Sequence, residues 1–219
     1  MSDDKDLVIG WIAPATCSTY FAASLTKALL DDRVRSRLCE VVTQMSGPLI
    51  AQARTTVVDT FLTTNAQWLL QLDSDMVFEP ADILTLLDAA DAQDRPIVGA
   101  LYVGTNQGAE SLEAEAGWHV PGGIGWIAPQ RAAGLVLVDF VGAGALLVHR
   151  RVYEHLAGLY PRPQPWFAEV ARWGQVYGED GEFCHRAKAA GYPIYVHADV
   201  RMGHVKTVVL RPEPNEGTP

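Results

Sequence analysis

The first half of the chain alternates between short apolar runs and longer stretches with helical periodicity. Four apolar runs have the length and composition of β-strands, at residues 7–12, 38–43, 67–72 and 96–103. Between them, apolar residues recur at helical spacing, and Pro48 and Pro80 are placed to begin two of the helices. Strands that alternate with helices predict an α/β domain with a mostly parallel central sheet flanked by helices.

The second half of the chain is less regular. Glycine, alanine and acidic residues fill much of 104–134. We expect a long excursion without secondary structure on the substrate side, because such loops are usually functional or mobile. Strand character resumes at 135–141, and the last clear helix is predicted over 179–190. Proline and polar residues at 211–219 predict an unpacked tail beyond a single domain over 1–210.

Composition narrows the class of protein. With 219 residues of which 48% are hydrophobic, the chain is long enough for one well-packed core. Its net charge of −9 argues against a protein whose affinity comes from neutralising nucleic-acid phosphates. Cys17, Cys39 and Cys184 lack the paired spacing of a zinc or redox motif. No apolar run approaches the ~20 residues that span a bilayer, so we expect a cytoplasmic protein.

An Asp73-Ser74-Asp75 motif directly follows the third predicted strand. The two aspartates are two positions apart in an extended segment, so their side chains can point to the same side and share one ion. Carboxylates suit Mn²⁺ or Mg²⁺, which complete their shells with waters and substrate phosphates. A turn or cap is the alternative interpretation. The position of the motif at the carboxyl end of a strand, where open α/β sheets bind ligands, favours the metal site.

Two further sets of residues have both a chemical and a structural interpretation. Glu179 and Asp180 open a predicted helix, where a carboxylate is favoured simply as a cap. Alternatively, Asp180 is a general base that accepts the proton of an attacking hydroxyl, with Glu179 assisting in orientation or binding. His204 is a suitable Mn²⁺ ligand beside carboxylates, although a lone histidine is also common as a structural residue.

Four segments together resemble the motifs of GT-A glycosyltransferases. They are Leu72-Asp73-Ser74-Asp75-Met76, Val141-Gly142-Ala143-Gly144-Ala145-Leu146-Leu147, Gly178-Glu179-Asp180-Gly181-Glu182-Phe183-Cys184 and Gly203-His204. Their joint order is more specific than any one of them. The likeness is to compact family-2-like transferases, including short forms encoded by tailed phages, and it covers the chain from Val8 to about Val208.

The resemblance implies a division of labour along the chain. It implies a Rossmann-like donor-binding half over about 7–103 and an acceptor half over about 135–208. Asp75 would be the principal metal-binding carboxylate, and Asp73 would lie against the donor ribose or the metal. Ser74 would hold the donor together with them.

The remaining family positions can also be carried over. Asp180 matches the acidic residue that acts as base in inverting members, and His204 matches a late metal-binding histidine. The first loop, which commonly contacts the nucleotide base, corresponds to Pro14, Ala15 and Thr16.

Four more residues are candidates for the site. Gly142 and Gly144 would let backbone approach a bound ligand, or they mark a bulge or turn. Trp166 would form an apolar wall beside a sugar or acceptor, or it is buried in the core. Arg54 interrupts the apolar pattern of its helix and would pair with a donor phosphate, or it lies on a solvated helix face.

The resemblance implies transfer of a sugar from a nucleoside-diphosphate sugar, with Mn²⁺ or Mg²⁺, to a hydroxyl of a protein, a glycan or a hydroxylated DNA base. Inversion follows if Asp180 is the base, and retention is open if it only orients the acceptor. If phage-encoded, the protein would act in the host cytoplasm. The competing hypotheses are a nucleotidyltransferase and a non-catalytic nucleotide-sugar-binding module. The sequence after Ile12 lacks a glycine-and-basic-rich phosphate loop, which disfavours the nucleotidyltransferase.

Overall fold

A seven-stranded sheet forms the centre of the computed structural model, which describes residues 5–105, 112–120, 123–172 and 175–207. The predicted tail at 211–219 lies outside the described residues. In chain order the elements are β1 (Leu7–Ala13), α1 (Thr19–Leu30), α2 (Asp32–Arg37), β2 (Leu38–Met45), α3 (Ile50–Thr63), β3 (Trp68–Asp73), β4 (Met76–Val77), α4 (Pro80–Ala89), β5 (Ile97–Leu101), β6 (Val103–Thr105), β7 (Leu112–Ala114), β8 (Ala116–Val120), β9 (Gly123–Trp126), β10 (Leu135–Val138), β11 (Phe140–Val141), β12 (Ala145–His149), α5 (Arg150–Leu159), β13 (Val170–Arg172), β14 (Gln175–Tyr177), α6 (Glu179–Ala189), β15 (Ile194–Arg201) and β16 (Gly203–His204).

The strands of the central sheet follow the order β10-β15-β5-β12-β3-β1-β2. β1 is parallel to β2 and β3, and β15 is parallel to β5. β12 is antiparallel to both β3 and β5, so these two strands share one direction. Five of the seven strands therefore run the same way, with β12 and β10 reversed. This confirms the predicted α/β class with a mostly parallel sheet.

Helices cover both faces of this sheet, which explains why its strands are continuous apolar runs. Along β1, Val8 and Ile12 face a cluster that includes Val57 of α3 and Phe183 of α6. Leu7 and Ile9 face the opposite cluster with Phe21 of α1 and Ile83 of α4. The twofold alternation of a strand thus supplies two separate cores from one run of sequence.

The prediction that residues 104–134 lack secondary structure is wrong. Its described residues form short strands: β6 pairs with β7, and β8 lies between β9 and β11 in a three-stranded sheet. Residues 106–111 and 121–122 lie outside the described residues. The strand predicted over 135–141 is two strands, β10 and β11, which separate at Asp139 and join different sheets.

The carboxyl ends of β1 and β3 lie side by side, since Ile12 is paired with Asp73. The loop after β1 is fixed to the loop after β3 because Ser18 donates its backbone N–H to the carbonyl of Ser74 at 3.1 Å. Ser18 also caps α1 by accepting from the N–H of Tyr20. These contacts build one edge of the sheet around the Asp73-Ser74-Asp75 motif. Of the helices described, none combines the length and apolar character needed to cross a bilayer.

Candidate active site

A cleft of about 560 Å³ opens at this edge of the sheet, and we call it the edge cleft. It collects most of the site residues predicted from the sequence: Pro14, Arg54, Asp73, Ser74, Asp75, Gly144, Glu179, Asp180 and His204. Tyr102, Glu115 and Lys206 are among the lining residues that were not predicted. Residues far apart in the sequence therefore share one cleft. Ala15 and Thr16 are exposed in the loop beside Pro14 and do not line it.

Asp75 and His204 face each other in the edge cleft. The short ladder between β4 and β16 pairs His204 with Met76, and Nε2 of His204 lies 3.2 Å from Oδ2 of Asp75. On the other side of its ring, Nδ1 lies 2.9 Å from the carbonyl oxygen of Val103. Such a carbonyl contact fixes the orientation of an imidazole and leaves Nε2 directed at the cleft.

Asp75 and His204 each favour the charged form of the other. Partial burial lowers the pKa of His204, but the hydrogen bond with Asp75 raises it by more. The pKa of His204 therefore lies above its ordinary value. Partial burial raises the pKa of Asp75, whereas His204 and Lys206 lower it and prevail. Nζ of Lys206 also lies 3.2 Å from Oδ2 of Asp75. Lys206 is thus a cation of the edge cleft that the sequence motifs did not indicate.

Asp75 and its neighbours are the residues that would hold the expected divalent cation. Among the described residues, no group of three or more histidine, cysteine, aspartate or glutamate side chains is placed to hold a metal. The expected set of Asp73, Asp75 and His204 is therefore not assembled as three metal ligands, and Asp73 instead accepts a hydrogen bond from Arg54. Asp75 and His204 remain and offer one carboxylate and one imidazole. This fits a cation such as Mn²⁺ or Mg²⁺ that takes its other ligands from substrate phosphates and water. It does not fit a structural metal enclosed entirely by protein ligands.

Arg54 joins three parts of the fold beneath the cleft. Its guanidinium donates to Oε1 of Glu179 at 3.1 Å, to the carbonyl of Ala143 at 3.2 Å and to Oδ1 of Asp73 at 2.8 Å. Its side chain is 4% exposed. Arg54 therefore does not lie on a solvated helix face, and that interpretation is wrong. Three of its N–H groups donate to protein groups, while Arg54 also lines the edge cleft. Its pairing with a donor phosphate stays a prediction.

Asp180 is the second residue of α6 and lines the edge cleft. Its Oδ1 accepts from the N–H of Gly181 at 2.7 Å, while the helix N-cap is Gly178, which has no side chain to cap with. Burial raises the pKa of Asp180, and repulsion from Glu179 raises it further, while the charge of Arg54 opposes both. The net shift is upward, towards the range in which a carboxyl group exchanges protons as a general base.

A second cavity of about 560 Å³ meets the edge cleft at Asp180 and Glu115, which line both. We call it the aromatic cavity because its walls include His119, Trp126 and Phe140. Burial raises the pKa of Glu115, and the charge of Asp180 raises it further. Two carboxyl groups therefore stand where the two spaces join. No motif marks Glu115, which lies in the segment that the sequence left without structure.

Gly142 and Gly144 make room for a protein side chain. A β-carbon at Gly142 would lie 2.2 Å from the hydroxyl oxygen of Tyr102, and one at Gly144 would lie 2.9 Å from it. The N–H of Gly144 donates to that hydroxyl at 3.0 Å. Gly144 lines the edge cleft and Gly142 lines the aromatic cavity. The expected close approach is made here by the buried Tyr102.

The expectation that Trp166 forms a wall beside a sugar or acceptor is wrong. Trp166 is completely buried, and its Nε1 donates to the backbone carbonyl of Tyr153 at 2.8 Å. The rings of Tyr153 and Trp166 meet edge to face with centroids 5.9 Å apart. A buried tryptophan with its N–H satisfied in this way is a core residue.

Comparisons with known proteins bear on the fold. No protein-family model and no curated protein sequence matches the chain. Among solved structures, A197 from STIV is 16% identical, with a TM-score of 0.52 over 95% of this chain and 99% of its own. GalNAc-T7, crystallised with UDP, GalNAc and Mn²⁺, is 13% identical, with a TM-score of 0.61 over 94% of this chain. The chain has a GT-A-like fold. It spans 45% of the GalNAc-T7 chain, and at these identities the likeness shows the fold alone.

Proposed function

We propose that the protein is a metal-dependent glycosyltransferase, which moves a sugar from a nucleoside-diphosphate sugar to an acceptor hydroxyl. One observation carries the proposal: Asp180 lines both the edge cleft, which contains Asp75 and His204, and the aromatic cavity. A transferase needs two adjoining binding spaces with a proton acceptor between them. The resemblance to GalNAc-T7, whose crystals contained UDP and Mn²⁺, supports a nucleotide and a divalent cation at such a cleft.

The donor would lie in the edge cleft. Asp75 and His204 would hold the cation, which when bound offsets the negative charge that develops on the departing diphosphate. Lys206 would contact phosphate oxygens, since its ammonium group lines the cleft beside Asp75. Asp73 and Ser74 would hold the donor, and the loop at Pro14, Ala15 and Thr16 would contact its base.

The acceptor would approach from the aromatic cavity. Its hydroxyl oxygen would form a bond to the anomeric carbon as the bond from that carbon to the diphosphate breaks. The carboxylate of Asp180 would take the hydroxyl proton, so transfer would proceed with inversion. Glu179 would assist indirectly, because Arg54 ties it to Asp73 and so fixes the start of α6 against the end of β3.

Product analysis tests this proposal against its rivals. The purified protein is incubated with Mn²⁺ and a panel of uridine and guanosine diphosphate sugars, and the nucleotide products are separated by chromatography. The proposal predicts release of a nucleoside diphosphate from at least one donor. Asp75→Ala should abolish this release, whereas Asp88→Ala, at an exposed aspartate of α4, should not.

The other outcomes are equally distinct. A nucleotidyltransferase would instead form pyrophosphate from a nucleoside triphosphate. Donor binding without release of any nucleotide, under every acceptor tried, would favour a non-catalytic nucleotide-sugar-binding module. Either result would contradict the proposed activity.

A further inference from the structure

One wall of the aromatic cavity is a small β-sheet that carries aromatic side chains. β11, β8 and β9 form a three-stranded antiparallel sheet, in which Phe140 is paired with Gly117 and Gly117 with Trp126. Directly paired residues lie on the same face of a sheet. Gly117 thus separates two aromatic residues in one row.

The glycine lets the two rings meet. A β-carbon at Gly117 would lie 3.1 Å from the ring of Phe140 and 2.2 Å from the carbonyl oxygen of Gly125. Without it, Phe140 and Trp126 contact each other edge to face with centroids 5.2 Å apart. His119 adds a third ring, 6.0 Å from that of Phe140. Trp126 is 37% exposed, so this aromatic platform is open to a ligand.

The charged groups of the aromatic cavity restrict what it can hold. Glu115, Asp180 and Glu182 contribute carboxyl groups, and no lysine or arginine is among the lining residues that the structure describes. Glu182 is paired with Arg186 at 2.8 Å. Neither Glu115 nor Asp180 has such a pairing with a lysine or arginine among the described residues that line the cavity. A phosphate in this cavity would face two carboxyl groups with no lysine or arginine among the described lining residues to pair with it, which is costly in a partly desolvated space.

We infer that the aromatic cavity binds an uncharged carbohydrate as the acceptor, an inference that rests on the proposed glycosyl transfer. The negative faces of Trp126 and Phe140 attract the C–H edges of a sugar ring. Carboxylate oxygens of Glu115 and Asp180 accept hydrogen bonds from hydroxyls. The volume of about 560 Å³ lies within the usual range for small-molecule sites.

The same features disfavour the other two acceptor classes considered from the sequence. DNA would bring phosphates to a cavity whose described walls carry carboxyl groups and no basic lysine or arginine. A protein hydroxyl would bring a run of backbone N–H and C=O groups that all need partners, and the described wall offers few side-chain polar atoms to pair with them. A neutral sugar satisfies both the rings and the carboxyl groups.

The chain offers a matched control for the platform. Trp118 and Trp126 are each 37% exposed and lie on neighbouring strands. Trp118 is one residue from Gly117, so alternation places it on the opposite face of the small sheet. Its Nε1 donates to the carbonyl of Leu137 at 2.8 Å, and it does not line the aromatic cavity.

Saturation-transfer NMR tests the inference without relying on turnover. The probes are methyl glycosides of glucose, galactose and mannose, lactose and maltose, and glucose 6-phosphate as an anionic counterpart. At least one neutral sugar should bind, and glucose 6-phosphate should bind about tenfold more weakly than methyl glucoside. Trp126→Ala and the bulkier Trp126→Leu should each raise the Kd for the neutral sugar about tenfold. Trp118→Ala should leave it unchanged, with thermal unfolding used to verify that all variants are folded.

A parallel transfer assay separates failure of this inference from failure of the proposed function. The thermal stabilisation of the protein by the nucleotide-sugar donor with Mn²⁺ should be equal in wild type and all three variants. Transfer to a serine- and threonine-containing peptide or to hydroxymethylated DNA, with no neutral sugar bound, would overturn the acceptor class and leave glycosyl transfer standing. An unchanged Kd in both Trp126 variants would also overturn it. Sugar binding lost in those variants, with no donor bound by wild type, would support the sugar site and refute the transferase.

Discussion

Oδ1 of Asp73 lies 2.8 Å from Nη2 of Arg54, a buried guanidinium that also holds Glu179. This one side chain connects α3 to the end of β3 and to the start of α6. Arg54 therefore holds the end of β3, where the Asp73-Ser74-Asp75 motif begins, against α6, which carries Asp180. The geometry of the edge cleft therefore depends on the charge of Arg54.

Removal of this charge should destabilise the fold. Arg54→Met keeps much of the apolar stem but leaves two carboxylates without their cation, which for partly buried groups costs about 3 kcal/mol. Urea unfolding measures the loss at neutral pH. Arg35→Met is the control, because Arg35 pairs with Asp32 on the surface and exposed pairs contribute little. Equal stability of the two variants would contradict the organising role of Arg54.

Mutation of Asp180 should separate chemistry from donor binding. Asp180→Asn retains the shape of the side chain but cannot take a proton, so the transfer rate should fall about 10²- to 10⁴-fold. Donor stabilisation in a thermal-shift titration should change little. If the variant lost donor binding to the same extent as transfer, Asp180 would be a binding residue and not the base.

The pH profile of transfer should report the environment of Asp180. A general base acts when deprotonated, so activity is present above its pKa and lost as the pH falls through it. Since the pKa of Asp180 is raised above 3.8, the acid limb of kcat/KM should lie above that of an ordinary aspartate. Arg54→Met removes a charge that lowers this pKa and should move the limb to higher pH. A limb that stays in place would contradict the coupling.

Tyr102 and Gly142 should be coupled in a double-mutant cycle. Gly142→Ala places a β-carbon 2.2 Å from the Tyr102 hydroxyl oxygen, an overlap that should cost about 1–3 kcal/mol. Tyr102→Phe leaves the N–H of Gly144 without its partner, at a cost of about 1–3 kcal/mol. The double variant should be less destabilised than the sum, because the clashing oxygen is absent. Strictly additive losses would mean that the glycine serves some other purpose.

Lys206 should contribute to donor affinity. Loss of a charged contact to phosphate in Lys206→Met should raise the KM for the donor about tenfold, with a smaller effect on kcat. Lys27→Met is a suitable comparison, since Lys27 pairs with Glu79 at the surface. Identical kinetics in the two variants would exclude Lys206 from the donor site.

The fold was largely predictable because its strands and helices carry strong local patterns. Most residues of β3 and β12 are apolar. Pro80 begins α4 as expected. α2 was missed because its six residues bury only Val34; its remaining signal is Asp31, which caps the helix by accepting from two backbone N–H groups. Short strands such as β8 and β9 depend on partners that a single sequence does not identify.

The site was predictable where chemistry and a local motif coincide. The sequence indicated Asp75, Asp180 and His204, which share the edge cleft. The contacts of Arg54 were not predicted because its partners, Asp73 and Glu179, lie 19 and 125 residues away. Trp166 was misassigned because sequence periodicity does not show that Tyr153 accepts its N–H. Glu115 has no motif, and only the meeting of two cavities reveals it.

If Asp75 and His204 hold a divalent cation for a nucleotide donor, Mn²⁺ must strengthen nucleotide binding through these two residues. Calorimetric titration of UDP and GDP measures this effect. Each nucleotide is titrated with and without Mn²⁺ into wild type, Asp75→Ala, His204→Gln and the control Asp88→Ala. Mn²⁺ should tighten binding of one nucleotide at least about tenfold in wild type and Asp88→Ala, and both other variants should lose this gain. Binding that is indifferent to Mn²⁺ in wild type, or a Mn²⁺ effect that survives in Asp75→Ala, would show that these residues do not hold the cation.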